Sequence, residues 1–459
     1  MAIRTFGKKG RPGADASTLV TGIDPTGVTD ATAAIQAAID SVDAAIGQDG
    51  GGLVTLPLGV FKVGTIQLRN HVMLAGQGDG TVLRAKTNIG GPVLKNAEDG
   101  DRFFGVMNLR VDGNKSAQST GSGRHGLHFN CPSTSPQEYA DAYWKVFNVT
   151  VVNTKDDGVK IEGRGEGKLS LVNVRDGDGI GFNLAAPDCD LNLCSAGGVG
   201  TQGYYISQAN NRLSNCKAFY AGNVDGSVGH GFQVEATHSV TLLNCEAQDN
   251  NFHGFWAHNS DRVQLLGCNA DSNNAGHNSD SDRSGNGFQI DGSSYCQITG
   301  YSRDRGLVAS GNTRQQKYGL GMANGASYLK ANLVMDGNAT GNVQNGWHTN
   351  VSIAINGYGG QQDLSYAATR TPNPTLGNLI NIGALTGGIT INAPSAANSW
   401  TGATMTLIFT QDGTGGRAVT WGSGIKANWS PNTGAGKVNV IQFTFDGSDW
   451  IQTGSAVNL

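Results

Sequence analysis

Residues 126–347 repeat one short phrase, a glycine followed by an apolar residue and then by polar and apolar residues in alternation. Successive repeat glycines are 32, 23, 22, 28, 23, 33, 32 and 27 residues apart, a base period of 22–23 with insertions. A period of this length with strand-like alternation indicates a solenoid in which every repeat forms one coil. The repeat glycines are Gly126, Gly158, Gly181, Gly203, Gly231, Gly254, Gly287, Gly319 and Gly346.

The composition agrees with short strands joined by tight turns, because glycine makes up 69 of 459 residues and charged residues only 15%. The net charge of −4 provides no basic surface, so nucleic acid is not an expected partner. No run of about 18 apolar residues occurs, so no membrane insertion is expected. The first residues lack the apolar stretch of a signal peptide.

Five of the seven cysteines follow the repeat, at spacings of 22, 29, 23 and 28 residues. This phase predicts small thiols stacked inside the coils rather than disulfides. No CxxC pair is present, so the sequence predicts no metal site and no cofactor. The five are Cys194, Cys216, Cys245, Cys268 and Cys296.

The repeat is flanked by segments of different character. Residues 1–20 form a short basic leader, and residues 31–46 carry apolar side chains at helical spacing. Because an open solenoid end needs a cover, we expect this helix to cap a parallel β-helix that spans residues 21–359. Residues 360–375 are predicted to be a linker, and residues 376–459 an antiparallel β-sandwich.

The order "GVTDATAAIQAAID", "GGLVTLPLGVFKV", "VMLAGQGDGTVL" and "NLRVDGNK" resembles the pectate-lyase-like superfamily of right-handed parallel β-helices. The resemblance covers about residues 24–115, and the repeats extend it to about residue 358. Phage tail spikes that depolymerise surface polysaccharide commonly begin in this way. "FTQDGTGGRAVTWGS" and "FTFDGSDWIQTG" resemble the small β-sandwich at the C-terminal end of many phage tail proteins.

This resemblance implies a fold, a location and partners. It implies an all-β protein of the virion tail that acts on a bacterial surface polysaccharide. It also implies side-by-side association as a homotrimer, with other virion tail proteins as further partners.

The strand alternation predicts which side chains face outward, because successive residues of a strand point to opposite faces. If Phe232 and Val234 point inward, then Gln233 and Glu235 point outward. Coils stack about 4.8 Å apart, so equivalent outward positions form columns along the solenoid. The same phase places Tyr205, Trp256, His258, Gln289 and Asp291 on the outer face.

Two carboxylates in one column suggest acid–base chemistry on a sugar polymer. Glu235 and Asp291 lie two coils apart, roughly 9–10 Å at Cα. Their side chains could reach the separation of about 6.5–9.5 Å found in inverting glycosidases. His258, between them, would tune which carboxyl keeps its proton.

Flanking side chains complete the predicted site. Trp256 and Tyr205 offer flat faces on which sugar rings can stack, and Gln233 and Gln289 can bond sugar hydroxyls. The alternative is that all of these residues are ordinary polar surface, which is the usual occupant of the outside of a β-helix.

Two further segments resemble fragments of the polygalacturonase-type hydrolase pattern, namely Asp156-Asp157-Gly158 and Gly229-His230-Gly231. In that family the two fragments are about one coil apart, whereas here they are three apart, and the later Arg-x-Lys is missing. The sequence alone therefore favours turn residues that introduce a strand.

The expected function is hydrolysis of glycosidic bonds in a capsular polysaccharide or exopolysaccharide. A polysaccharide lyase of the same fold is the first alternative. It ranks below hydrolysis because β-elimination needs a base and a cation that neutralises a uronate, and the sequence places only Arg262 near the His258 column. A non-catalytic glycan-binding spike is the second alternative.

Overall fold

A computed structural model describes residues 4–6, 15–46, 50–97, 103–119, 121–131, 143–225, 228–274, 285–305, 316–344, 348–349, 351–355, 361–399 and 401–457. Most of the predicted leader, part of the predicted linker and the repeat glycine Gly346 lie outside these ranges. The chain divides into two compact units. The first contains residues 1–256 and 273–283, and the second contains residues 257–272 and 284–459.

One α-helix, Thr32–Ile46, lies near the start of the first unit, where the sequence predicted a capping helix. Its apolar face is buried and packs against neighbouring strands that include Gly52–Thr55. Gly52 permits this close approach, because a Cβ atom there would lie 2.7 Å from Val42 Cγ1. No described helix is long and apolar enough to cross a membrane.

The first unit is built of parallel strands that form two sheets, as expected for a parallel β-helix. Arg4–Phe6 pairs antiparallel with Asp15–Leu19 at its start. The strands of its first sheet are Asp15–Leu19, Thr26–Asp30, Gly52–Thr55, Gly59–Val63, Val72–Ala75, Thr81–Ala85, Gly105–Asp112, Lys145–Val152, Lys168–Arg175, Asp190–Asn192, Ser195–Gly197, Arg212–Ser214, Lys217–Phe219, Thr241–Leu243 and Glu246–Gln248. Those of its second sheet are Ile66–Leu68, Leu94–Asn96, Leu127–Cys131, Val159–Gly163, Phe182–Ala185, Tyr204–Ile206 and Phe232–Glu235.

The second sheet of the first unit confirms the predicted column that contains Tyr205 and Gln233. His128 pairs with Lys160, Lys160 with Asn183, Asn183 with Tyr205, and Tyr205 with Gln233. Each partner is one coil further along, so these residues form one outward-facing row.

Stacked rings fill the interior of the first unit behind that row. The ring centroids of Phe182 and Tyr204 are 4.7 Å apart, and those of Tyr204 and Phe232 are 4.4 Å apart. Phe255 continues the stack at 5.0 Å.

All seven cysteines are buried and free, which confirms the predicted interior thiols.

In the second unit, short parallel strands again form two sheets. One sheet contains Gln264–Asp271, Gln297–Arg303, Lys330–Asp336 and Ser352–Ile355, and the other contains Phe288–Asp291, Tyr318–Ala323 and Gly341–Gln344. Ala326–Ser327 pairs with His348–Thr349. The strand Phe255–His258 runs across the boundary between the units.

The C-terminal strands form a mixed sheet rather than a wholly antiparallel one. Thr404–Gln411, Val438–Phe445 and Trp450–Val457 pair antiparallel, as expected. Gln362–Asp363, Leu379–Leu385 and Ile425–Lys426 join the same sheet through parallel pairs. A three-stranded parallel sheet contains Thr369–Arg370, Ile389–Ile391 and Val419–Trp421. Short 3-10 helices occur at Lys115–Ala117, Pro374–Leu376 and Ala396–Asn398.

The stacked rings predict a large effect of truncation on stability. Phe232→Ala removes a fully buried ring that contacts a ring on each side, and we expect it to lower the free energy of unfolding by about 3–5 kcal/mol. Phe147→Ala is the matched control, because the Phe147 side chain is 46% exposed. Urea denaturation of both variants measures the difference, and equal losses would contradict the central role of the ring stack.

Candidate functional site

The first unit holds four of the predicted site residues. Glu235 ends the strand Phe232–Glu235, and its Oε2 accepts a hydrogen bond from Gln233 Nε2 at 2.8 Å. Gln233 occupies the predicted outward position but is only 6% exposed. Tyr205 is half-buried beside it in the neighbouring coil. The Trp256 ring, predicted as a stacking platform, packs against the His230 ring with centroids 4.4 Å apart.

The second unit holds the other three. His258 ends the strand Phe255–His258, and its Nε2 lies 3.1 Å from Asn259 Nδ2. Asp291 ends the strand Phe288–Asp291 and accepts a hydrogen bond from Asn324 Nδ2. Gln289 is buried and accepts a hydrogen bond from Asn286 Nδ2 at 2.7 Å. The roles proposed for all seven residues stay predictions.

A different row of polar residues lies immediately before the repeat glycines of the first unit. These residues occupy the turn that leads into each second-sheet strand, and the interior buries them although they are polar. Buried polar groups need hydrogen-bond partners, so the fold must hold each of these side chains in a defined orientation. Its buried members are His125, Asp157, Gln202, His230 and His253.

Asp157 is the acidic member of this row, and its carboxylate is held by the next coil. Its Oδ1 accepts the Ile180 N–H at 2.9 Å, and its Oδ2 accepts a hydrogen bond from Asn183 Nδ2 at 2.9 Å. Burial is the main influence on this carboxyl and raises its pKa to about 6, against the lowering effect of these two hydrogen bonds. Asp157 therefore keeps a proton at a pH where an ordinary aspartate has lost it.

His125 lies directly against this carboxyl. Its Nδ1 accepts the Asp157 backbone N–H at 3.2 Å, so the neutral ring carries its proton on Nε2. Nε2 is 3.9 Å from Asp156 Oδ2. Burial lowers the pKa of His125 to about 4, with Asp156 opposing the shift, so the imidazole is neutral near pH 7.

Asp156 supplies a second carboxylate at the same place. Its Oδ2 accepts the Gly123 N–H at 2.7 Å, and its side chain is more exposed than that of Asp157. One donor atom from each of Asp156, Asp157 and His125 lies within 4.8 Å of the others, a spacing that would admit a divalent cation. However, His125 Nδ1 and both Asp157 oxygens already accept hydrogen bonds from the protein, which favours acid–base chemistry over metal binding.

A second charged group lies on the outer face beside this one. Glu162 Oε2 is 2.6 Å from His128 Nε2, and Glu162 Oε1 is 3.0 Å from Lys160 Nζ. Burial opposes ionisation of Glu162, but the hydrogen bonds from Lys160 and His128 outweigh it and lower its pKa. The His128 and His125 rings are 5.1 Å apart, so the two groups form one cluster. We call His125, His128, Asp156, Asp157, Lys160 and Glu162 the Asp157 cluster.

Further cations flank the Asp157 cluster. Lys155 and Lys115 both bind Asp178, at 2.7 and 3.0 Å. Arg124, next to His125 in the chain, donates from Nη2 to Ser119 Oγ at 3.1 Å. Its Nε and Nη1 atoms are buried and have no hydrogen-bond partner among the described residues. An anionic group of a substrate could provide that partner.

The Asp157 cluster therefore combines a buried carboxyl with a raised pKa, a second carboxyl beside it and, near pH 7, a neutral imidazole. Neighbouring titratable groups whose surroundings push their pKa values apart are the usual basis of acid–base catalysis. The sequence contained a signal for the Asp157 cluster, since His125 and Asp157 each precede a repeat glycine in consecutive coils. Interpreting Asp157 as a turn residue was correct for the backbone, but it left out the buried carboxyl.

Two family models match the chain. A right-handed β-helix region matches residues 137–313, and a phage tail fibre C-terminal domain matches residues 370–450. The first agrees with the parallel coils and the second with the C-terminal strands. The predicted fold class, a right-handed parallel β-helix followed by C-terminal β structure, is confirmed, with a mixed sheet in place of the antiparallel one.

Curated relatives are mannuronan C5-epimerases of Azotobacter vinelandii. AlgE5 is 28% identical over 264 residues, which cover 48% of this chain and 25% of that protein. AlgE6 is 39% identical over 103 residues, which cover 20% of this chain and 11% of that protein. The chain thus spans about a quarter or less of the length of these relatives.

Solved structures share the fold at low sequence identity. The A-module of mannuronan C-5 epimerase AlgE6 from A. vinelandii has a TM-score of 0.56 at 20% identity, covering 74% of this chain and 99% of that one. The enzymatically active domain of tailspike protein 2 of bacteriophage CBA120 has a TM-score of 0.57 at 17% identity, covering 94% of this chain and 68% of that one. The predicted resemblance to phage tail spikes is confirmed at the level of the fold.

The raised pKa of Asp157 predicts a pH dependence of stability. The folded-state pKa of about 6 exceeds the ordinary 3.8, so the folded chain binds the proton more tightly than the unfolded chain. Stability from this group is therefore greatest below pH 3.8 and falls as the pH rises to 6. We expect wild type to lose about 2–3 kcal/mol more than Asp157→Asn between pH 4 and pH 7, measured by urea denaturation. If the free energy of unfolding changed with pH equally in the two proteins, the raised pKa of a buried Asp157 would be contradicted.

Proposed function

We propose that this chain is a polysaccharide-acting enzyme of a phage tail, which cleaves glycosidic bonds in a bacterial surface polysaccharide at the Asp157 cluster. The observation that carries the proposal is the buried Asp157 carboxyl, which lies beside the Asp156 carboxylate and the neutral His125. The tailspike and epimerase likenesses support action on a polysaccharide.

In this proposal Asp157 is the general acid. Its carboxyl proton passes to the glycosidic oxygen as the bond from that oxygen to the anomeric carbon breaks. Asp156 is the nucleophile, and its carboxylate attacks the anomeric carbon on the face opposite the leaving oxygen. His125 holds the Asp157 backbone through Nδ1, which keeps the acid in place.

The separation of the two carboxyls bears on the stereochemistry. One oxygen of each carboxyl lies within 4.8 Å of the other, so the two carboxyls are close enough to act on one sugar residue. For this adjacent pair we propose a retaining reaction, in which Asp156 forms a glycosyl ester and Asp157, now ionised, takes a proton from the water that hydrolyses the ester. NMR of the newly released anomeric centre distinguishes this from the inverting reaction predicted for Glu235 and Asp291.

Removing the acid should have a large kinetic effect. We expect Asp157→Asn to lower kcat by about 10²–10⁴-fold, because a positioned acid contributes that much. The kcat/KM of wild type should decline above about pH 6 as Asp157 ionises. Asp190→Asn is the matched control, because Asp190 is a half-exposed carboxylate in the first sheet, paired with Arg212. Release of reducing ends from capsular polysaccharides measures the activity of wild type and of both variants.

Two results would contradict this assignment. If Asp157→Asn keeps wild-type kcat while Glu235→Gln or Asp291→Asn loses about 10²–10⁴-fold, the predicted outward pair is the catalytic one. If wild type neither cuts a polymer nor changes its C5 signals, the chain is the non-catalytic glycan-binding spike.

A second candidate reaction is proton abstraction from C5 of a uronate, leading to β-elimination or C5-epimerisation. The buried Nε and Nη1 of Arg124 have no hydrogen-bond partner in the described part of the chain, and they favour this reaction because a uronate carboxylate would satisfy them. The mannuronan C5-epimerase relatives favour it as well. Elimination gives a new reducing end together with an unsaturated uronate that absorbs near 235 nm, hydrolysis gives a reducing end without that absorbance, and epimerisation changes the C5 signals without cleavage.

We also propose that the chain works as a homotrimer attached to the tail by other virion proteins, with the C-terminal strands serving assembly or glycan contact. The phage tail fibre match over residues 370–450 supports this. Multi-angle light scattering should give a mass near three times that of the monomer, and a monomeric mass would contradict it. A variant that lacks residues 376–459 but remains trimeric should keep its activity on oligosaccharides within about tenfold.

A further inference from the structure

Two residues further along the outer row of the first unit, Tyr205 and Gln233, form a second polar surface with Glu235 at the end of the same strand as Gln233, and the proposed chemistry does not use it. We propose that Tyr205, Gln233 and Glu235 form a sugar subsite that holds a neutral sugar residue of the polymer and rejects a uronate. This inference rests on the proposed function, because the same polymer would reach the Asp157 cluster.

The subsite lies on the same row as the Asp157 cluster. Lys160 pairs with Asn183, Asn183 with Tyr205, and Tyr205 with Gln233, so Gln233 lies three coils from Lys160. At about 4.8 Å for each coil this distance is about 14 Å along the solenoid. An extended polysaccharide lying along the coils would span both places with a few sugar units.

Buried amides fix the orientation of the Glu235 carboxylate. Gln202 Nε2 donates to Gln233 Oε1 at 2.8 Å, and Gln233 Nε2 donates to Glu235 Oε2 at 2.8 Å. Gln202 is 9% exposed and Gln233 is 6% exposed, so neither amide turns freely in water. A carboxylate held by a buried relay is a positioned acceptor for sugar hydroxyls, unlike a mobile surface glutamate.

Tyr205 gives this acceptor a neighbouring ring and a hydroxyl donor. It is half-buried, and it is the strand partner of Gln233 in the adjacent coil. Burial and the negative charge of Glu235 raise the pKa of Tyr205, so the phenol stays protonated at any pH of interest.

Together the three side chains offer a flat ring, an O–H donor and a carboxylate acceptor. These groups suit a neutral sugar with several hydroxyls. A uronate carboxylate would be placed beside the like charge of Glu235, at an expected loss of affinity on the order of tenfold. Gln202 acts through Gln233 as a positioning residue.

The test compares one polymer in two charge states. The probes are mannuronan oligosaccharides and the same oligosaccharides after their carboxyl groups have been reduced to alcohols. Binding to the full chain is measured by calorimetry for wild type, Glu235→Gln, Gln202→Leu and the control Asp190→Asn. We expect wild type and the control to prefer the reduced form by about tenfold, and Glu235→Gln to lose this preference.

Kinetic measurements on a polysaccharide that the chain cleaves complete the test. Glu235→Gln and Gln202→Leu should mainly raise KM and lower kcat by less than about tenfold, since they act on binding. The inference would be overturned if wild type and Glu235→Gln showed the same preference between the two charge states. It would also be overturned if neither protein bound either form. A 10²-fold or larger fall in kcat for Glu235→Gln would also overturn it, because Glu235 would then be a catalytic group. An unchanged kcat in Asp157→Asn would instead count against the proposed function.

Discussion

In-register parallel pairing between successive coils is the constraint on which the rest of this structure depends. It aligns equivalent positions about 4.8 Å apart, so the interior becomes continuous stacks, such as Phe182, Tyr204 and Phe232. The same alignment turns outward positions into rows, because a shift by one residue would exchange the two faces. Side chains separated by 20–30 residues in sequence are therefore direct neighbours, and functional groups can be built from one residue of each coil.

The requirement to satisfy buried polar groups explains why the Asp157 cluster lies in the turns. A turn that leads into a strand leaves backbone N–H groups that need acceptors. Asp157 accepts one from Ile180 in the next coil, and His125 accepts one from Asp157 itself. These hydrogen bonds link neighbouring coils, and the burial that comes with them raises the pKa of Asp157 to about 6.

The sequence predicted the parts of the fold that follow from period and alternation. The helix at Thr32–Ile46, the inward Phe232 and the interior cysteines all agree with it. It could not predict burial on the outer face, because alternation gives the direction of a side chain and not what covers it. Gln233 points outward and is nevertheless buried. The sequence also could not predict the pairing direction of the C-terminal strands, since short alternating strands have the same pattern in parallel and antiparallel sheets.

The cluster was harder to predict than the columns for a related reason. Asp156 and Asp157 are adjacent and look like turn residues, and the partners that distinguish them, His125 and Asn183, are one coil away on either side. Since insertions vary the spacing of the coils, these contacts have no fixed sequence separation. If the chemistry lies at Asp157 and sugar recognition lies about three coils away at Glu235, then the two functions occupy separate coils of one surface. A solenoid then permits the specificity for a polymer to change through one coil while the acid in another coil stays unaltered.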